Sequence, residues 1–409
     1  MQKWFKNIGP GPLVAAAFIG PGTVTICTLA GVGFGYALLW AMLLSIIATI
    51  VLQEMAARLG IISQKGLAEA IRSEIKNPIL KTFAIVLILS AIVIGNAAYE
   101  AGNISGGVLG LETIVGNSNI SIAGLSVNFL SIIIGIVAFV LLYLGNYKIL
   151  QNALVSLVIL MSLAFLITAI ITKPNISEIL NGAFIPKFPK DSIITVIALI
   201  GTTVVPYNLF LHASLVKQKW HNKSDLKLAR KDTLVAVVLG GLVSMCIIIS
   251  AASIQTQDIN NAADLAKGLE PLFGSFAKYF LAIGLFAAGI TSAITAPLAA
   301  AFVATGCLGW STNMKSNRFR AVWMLVLLIG IISASSGIKS IEIIKFAQVT
   351  NGILLPIIAG FLIWIMNKKS ILGIHINNIK QNIFGFIILG ISILLSTATL
   401  NKVFQLNLF

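Results

Sequence analysis

The sequence predicts an all-α, multi-pass membrane protein of eleven transmembrane helices, arranged as an inverted repeat with discontinuous helices 1 and 6. Three observations carry this. Hydrophobic residues make up 58% of the 409 positions and charged residues only 10%, far below the roughly 25% charged of soluble chains. Apolar runs of about 20 residues recur from end to end, the length that crosses a hydrocarbon core. Two of those runs are interrupted at matching depth by Gly and Pro.

The runs fall at about 12–35, 37–60, 80–105, 121–145, 150–172, 193–216, 232–255, 276–306, 319–338, 341–366 and 382–404. They leave no room for a soluble domain, so the whole chain, 1–409, reads as one integral membrane unit. The repeats are expected at about 12–172 and 193–366, with an extra helix at 382–404. The opening segment, MQKWFKNIGPGPLV, has two lysines but no small-residue cleavage site, and the first run is read as retained. Placing the N-terminus in the cytoplasm puts 20 of the 28 Lys and Arg in inner segments. That bias follows the positive-inside rule and puts the C-terminus outside, in what is expected to be the cell's inner membrane.

Segment 1 contains Gly20-Pro21-Gly22, and segment 6 contains Val205-Pro206-Tyr207-Asn208. Proline removes a backbone donor and clashes with the preceding turn, and glycine admits unusual dihedrals, so each helix is expected to break there. The breaks lie five segments apart, so the two helices cross in opposite directions. Irregular backbone at membrane depth is tolerated where it lines a cavity, and paired interruptions of this kind mark the central site of a transporter.

Around these breaks the chain resembles the Nramp family, the natural resistance-associated macrophage proteins, which are proton-coupled divalent metal transporters. The resemblance rests on FIGPGTVTICTLAGVGFGYALLW, LQEMAARLGIISQKGLAEAI, LIGTTVVPYNLFLHASLV, GITSAITAPLAAAF and AQVTNGILLP, in the family's order. It implies a LeuT-like architecture of two intertwined five-helix repeats and a metal-ion symporter working by alternating access. It also implies a ligand set that this sequence lacks. Where the family has Asp-Pro-Gly-Asn, this chain has Gly20 and Thr23 at the Asp and Asn positions. Where the family has Met-Pro-His, it has Val205 and Tyr207. The substrate-binding set expected here is therefore Gly20, Thr23, Thr202, Val205, Tyr207, Asn208, Gln348 and Asn351, with none of the usual metal ligands retained.

That set is neutral, and a divalent ion stripped of water needs anionic ligands or retained waters. Three functions stay open. One is transport of a small inorganic cation held by carbonyls, hydroxyls and water. Another is transport of a small neutral or anionic solute at the positive ends of the half-helices. The third is a non-transporting scaffold or sensor.

Glu100, in NAAYEAGN, and His212, in NLFLHAS, match a family glutamate and a family histidine and are candidates for a proton or ion pathway. Glu54 stands four residues before Arg58 and is expected to pair with it. His221 and His375 read as solvated loop residues, and Glu342 and Lys345 as snorkelling side chains. The basic run from Lys217 to Lys231 is expected to meet anionic inner-leaflet lipid. Nucleic acid is not expected as a partner, and no cofactor or enzymatic chemistry is implied. No nucleotide-binding fingerprint is present. Cys27, Cys246 and Cys307 stand singly in apolar runs, as small buried side chains do.

Overall fold

The computed structural model describes residues 19–122, 125–145, 148–254 and 259–405. The opening segment, with Lys3, Lys6 and the first part of segment 1, lies outside the described residues. The helices that matter to the site are α1 (Pro21–Phe34), α2 (Leu39–Ser63), α3 (Leu67–Glu74) and α4 (Pro78–Val115). They are followed by a β1–β2 hairpin (Asn119–Ile122, Leu125–Asn128), α5 (Phe129–Leu144), α6 (Lys148–Ile171) and α7 (Ile176–Phe184). The second half comprises α8 (Ile193–Thr203), α9 (Pro206–Lys219), α10 (Leu226–Ala251) and α11 (Ala277–Leu308), then α12 (Asn317–Ala334), α13 (Ser340–Met366) and α14 (Ile379–Phe404). Among the described residues, nine spans are long and apolar enough to cross a membrane. The two shorter apolar helices, Pro21–Phe34 and Phe129–Leu144, coincide with segments 1 and 4.

Segment 4 starts later than its apolar run suggests. Residues 119–128 pair as an antiparallel hairpin with Asn119 opposite Asn128, and the Asn128 side chain caps α5 by accepting from the Ser131 N–H at 3.1 Å. Segment 3 is longer than expected, at 38 residues. Asn77 caps its start, and small residues carry it past 105. A side chain at Gly106 would strike Pro21, and Gly107 lies against Gly289 of α11. Close approach of backbones through small residues is how helices pack where lipid offers no hydrophobic drive. This long helix is the spine of the fold and packs against α11, α12 and α13.

Proline alone does not break a helix here. Pro297 and Pro356 sit inside α11 and α13, which run through them. The breaks form where the chain also leaves helical dihedrals. Gly20 is extended, and Val204 and Val205 carry ψ of 66° and 118°. The short helix α3, after α2, has its counterpart five segments later in Ala262–Ala266, after α10. Both pack against α11.

At the basic end of the bundle, Arg58 is buried and bound on several sides. It donates to the His375 carbonyl at 2.9 Å, to Asn377 Oδ1 at 2.7 Å and to Glu54 Oε2 at 3.1 Å. Glu54 also receives Arg230 of α10 at 2.8 Å. The expected Glu54–Arg58 pair is thus present, but as part of a network joining α2, α10 and the segment before α14. His375, expected in solvent, is half-buried because its carbonyl serves this arginine. His221 is exposed as expected.

Candidate functional site: the two helix breaks

The half-helices α1 and α9 begin alike. Each has proline at its first turn, and neither Gly20 nor Val205 supplies a side-chain cap. An uncapped helix N-terminus presents backbone donors and a partial positive charge. Gly20 O accepts from the Val24 N–H at 3.2 Å, and Val205 O from the Asn208 N–H at 3.0 Å, closing the first turn of each.

Three elements converge on the first break. Thr23 Oγ1 of α1 and Thr202 Oγ1 of α8 lie 2.9 Å apart in a buried hydrogen bond. Gly22 faces Gln348 of α13 so closely that a Cβ would lie 2.7 Å from the Gln348 side-chain carbonyl carbon. Gly201 of α8 backs onto the α13 backbone at Gln348 and Gly352. Thr23, Thr202 and Gln348 are therefore one cluster. Asn351 lies one turn along α13 and faces Gly95 of α4. Tyr207, at the start of α9, meets Tyr99 of α4 edge to face with ring centroids 5.3 Å apart.

Polar atoms here are buried without protein partners. Asn208 has no exposure, and neither its Oδ1 nor its Nδ2 is hydrogen-bonded. Gln348 Oε1 and Asn351 Nδ2 share that condition at 1% and 2% exposure. Leaving a buried polar group unpaired costs about 1–3 kcal/mol, and α9 and α13 each carry such an amide near the break. The donors present are amide and hydroxyl groups, with carbonyls available from the non-helical backbone at the breaks.

Gly20 and Val205 contribute backbone only. Among the described residues, no three His, Cys, Asp or Glu side chains gather as a metal group would. A thioether does lie beside α8, since Met42 Sδ accepts from Thr203 Oγ1 at 3.5 Å.

Glu100 and His212 are not in this cluster. Glu100 is fully buried on α4 with its methylenes against Gly330 of α12. Asn103 Nδ2 approaches its Oε2 at 3.5 Å, and Oε1 has no partner. His212 Nε2 pairs with Thr233 Oγ1 of α10 at 3.1 Å, while Nδ1 is unpaired. The two groups thus have different neighbours, α12 for Glu100 and α10 for His212. The close approaches at Gly22 and Gly201 and the aromatic partner Tyr99 were not singled out from the sequence. Glycines within apolar runs were the available signal.

The family described as "Natural resistance-associated macrophage protein-like", Nramp, matches residues 11–402. The chain belongs to the Nramp family. It is 28% identical over 375 residues to the divalent metal cation transporter MntH of Bradyrhizobium diazoefficiens, covering 86% of this chain and 80% of that one. It is 24% identical to the MntH of Caldanaerobacter subterraneus subsp. tengcongensis, over 97% of this chain and 93% of the relative. In structure it matches the manganese transporter of Eremococcus coleocola at a TM-score of 0.76 and 20% identity, over 97% of this chain and 86% of that one. MhsT in complex with L-phenylalanine matches at 0.58 and 15%, over 95% and 98%. These structural matches establish the LeuT-like fold with discontinuous first and sixth helices. This Nramp protein is an integral membrane transporter.

Proposed function

We propose that this Nramp protein carries a metal cation across the membrane by alternating access, and that the cation binds between the two helix breaks through neutral oxygen donors with part of its water shell retained. The observation that carries the reading is Asn208, a wholly buried amide with neither side-chain atom paired. The names of the MntH relatives support a divalent cation as cargo.

The donors set the preference. A carboxylate at the position of Gly20 would supply charge, and a sulfur at the position of Val205 would supply softness; this chain has neither. Amide, hydroxyl and carbonyl oxygens suit hard cations, and ions of that class dehydrate reluctantly and keep waters in protein sites. The cation is therefore held by Asn208, Gln348, Thr23 and Thr202, with Tyr207 and Asn351 at the margin. Hinges at Gly20 and at Val204–Val205 let the half-helices move while the rest of the bundle stays packed. Glu100 and His212, away from the cargo, are the groups through which protons would couple. The N-terminus and the basic Lys217–Lys231 face lie in the cytoplasm, against anionic lipid.

Uptake into proteoliposomes tests the reading across Mg²⁺, Mn²⁺, Ca²⁺ and univalent cations. Saturable flux of a divalent cation is expected, and silence for every ion would end it.

A second reading has its own support. Two uncapped half-helix N-termini face a site without carboxylates, an arrangement that suits a small neutral or anionic solute. Thermal stabilisation by small carboxylates, oxyanions or amino acids, with no response to cations, would favour it. Flux of any substrate rules out a mere scaffold.

A further inference from the structure

The half-helix α9 is a lever with the site at one end. Its 14 residues span about 21 Å at 1.5 Å per residue. Tyr207 and Asn208 open it at the break, and Lys217 and Lys219 close it at the basic face. Tyr207, Phe210, Ser214 and Lys217 are spaced three, four and three apart, which puts them on one stripe of the helix.

The lower part of that stripe lines a narrow cleft of about 20 Å³ with Gly66 and Glu69 of the α3 region and Gly306 of α11. Phe210, at its inner end, is 2% exposed. The cleft is tied across by an ion pair, Lys217 Nζ to Glu69 Oε2 at 2.7 Å, with 20% and 29% of the two side chains exposed. The same Glu69 oxygen accepts from the Gly66 N–H at 2.8 Å. The two partners sit on different helices, both of which pack against α11. Glu69 is held to α11, because a Cβ at Gly306 would lie 3.0 Å from Ala68 and 3.4 Å from Glu69. Lys217 rides on α9, which is separated from α8 by the break at Val204–Val205.

We propose that this cleft is the mouth through which cargo passes between the site and the basic face. Phe210 is its plug, and the Lys217–Glu69 pair is the latch that holds α9 against α3. The inference rests on the alternating-access reading above. It adds a chemical element to the route: a cation arriving from the neutral site meets Glu69, and in binding that carboxylate it competes with Lys217 and releases the latch. The related short helix, Ala262–Ala266, carries its own ion pair. Its Asp264 pairs within its own turn region, with Lys267 at 2.9 Å.

The test reads access at Ser214, which is 8% exposed, in the full chain in liposomes. Cys27, Cys246 and Cys307 are replaced by Ala, and Ser214→Cys is labelled with a membrane-impermeant maleimide from the basic side. Ile374→Cys, at a site 92% exposed, gives the rate for an open position. Labelling of Ser214→Cys is expected to be slow with the latch intact. It should quicken by about fivefold in Glu69→Gln, the most a partly exposed pair of this kind supplies. Lys217→Met should act the same way, and the swap Glu69→Lys with Lys217→Glu should restore slow labelling. Equal rates in all these chains would overturn the latch. No cargo is needed for this measurement, so the two readings fail separately. Latch-dependent labelling with no cation flux would remove the metal reading alone, and latch-independent labelling with flux intact would remove the latch alone.

Discussion

Thr23 and Thr202 stand 179 positions apart in sequence, yet their hydroxyls meet at 2.9 Å, one from each half of the inverted repeat. The bond closes the gap between α1 and α8 beside the proposed cargo site. Replacing either residue by valine keeps the shape and removes the bond, at an expected cost of about 1 kcal/mol. Because the two residues share this interaction, the double variant should cost less than the sum of the two single ones. Thermal unfolding in detergent across this cycle checks it.

Gly22 decides where the Gln348 amide can lie. Gly22→Ala would put a methyl where that side chain now sits, and the displaced amide could no longer present its oxygen to cargo. Uptake should fall by about tenfold, equivalent to one hydrogen-bonding group left unmade. Gln348→Ala should give a loss of the same order, and combining the two should add little. Initial rates of uptake at fixed gradient measure this.

Gly201 is less forgiving, because its neighbour is backbone. A Cβ there would lie 2.7 Å from the Gly352 nitrogen, and α13 cannot rotate a main chain away. Gly201→Ala is expected to cost about 1–3 kcal/mol of stability through overpacking. Its melting temperature should fall below that of Gly22→Ala, where a flexible side chain can yield.

Glu54 supports an arginine that has left water. Removing it by Glu54→Ala leaves Arg58, 2% exposed, with only the His375 carbonyl and Asn377 as acceptors. A loss of about 2–3 kcal/mol is expected, since an uncompensated buried charge is what makes such deletions severe. Thermal unfolding should show this while uptake per folded molecule changes little.

The architecture was largely legible in the sequence because its signals are local. Apolar runs of spanning length, basic residues between them and the interruptions at Pro21 and Pro206 suffice for a bundle with two broken helices. Residues 119–128 carry the alternation of a hairpin, Asn-Ile-Ser-Ile and Leu-Ser-Val-Asn about Ala-Gly, but it was absorbed into the apolar run that continues through segment 4. The side chains gathered at the breaks were legible in part. Thr23, Thr202, Tyr207, Asn208 and Gln348 were named from the breaks and the family pattern. That Thr23 bonds Thr202, or that Gln348 lies on Gly22, depends on how α1, α8 and α13 cross, and no spacing within one helix encodes a crossing between three. The Lys217–Glu69 pair was hidden for the same reason, since Lys217 reads as one charge in a basic run.

In the proposed transport cycle a metal cation sits between the two breaks, held by uncharged donors of which Asn208 is the chief. Paired uptake assays on the unaltered chain and on Asn208→Leu, at matched protein density and with the same divalent-cation gradient, address it most directly. Saturable flux in the unaltered chain that is lost in Asn208→Leu, with both proteins equally monodisperse, is the predicted result. Equal flux in the two proteins would contradict the claim.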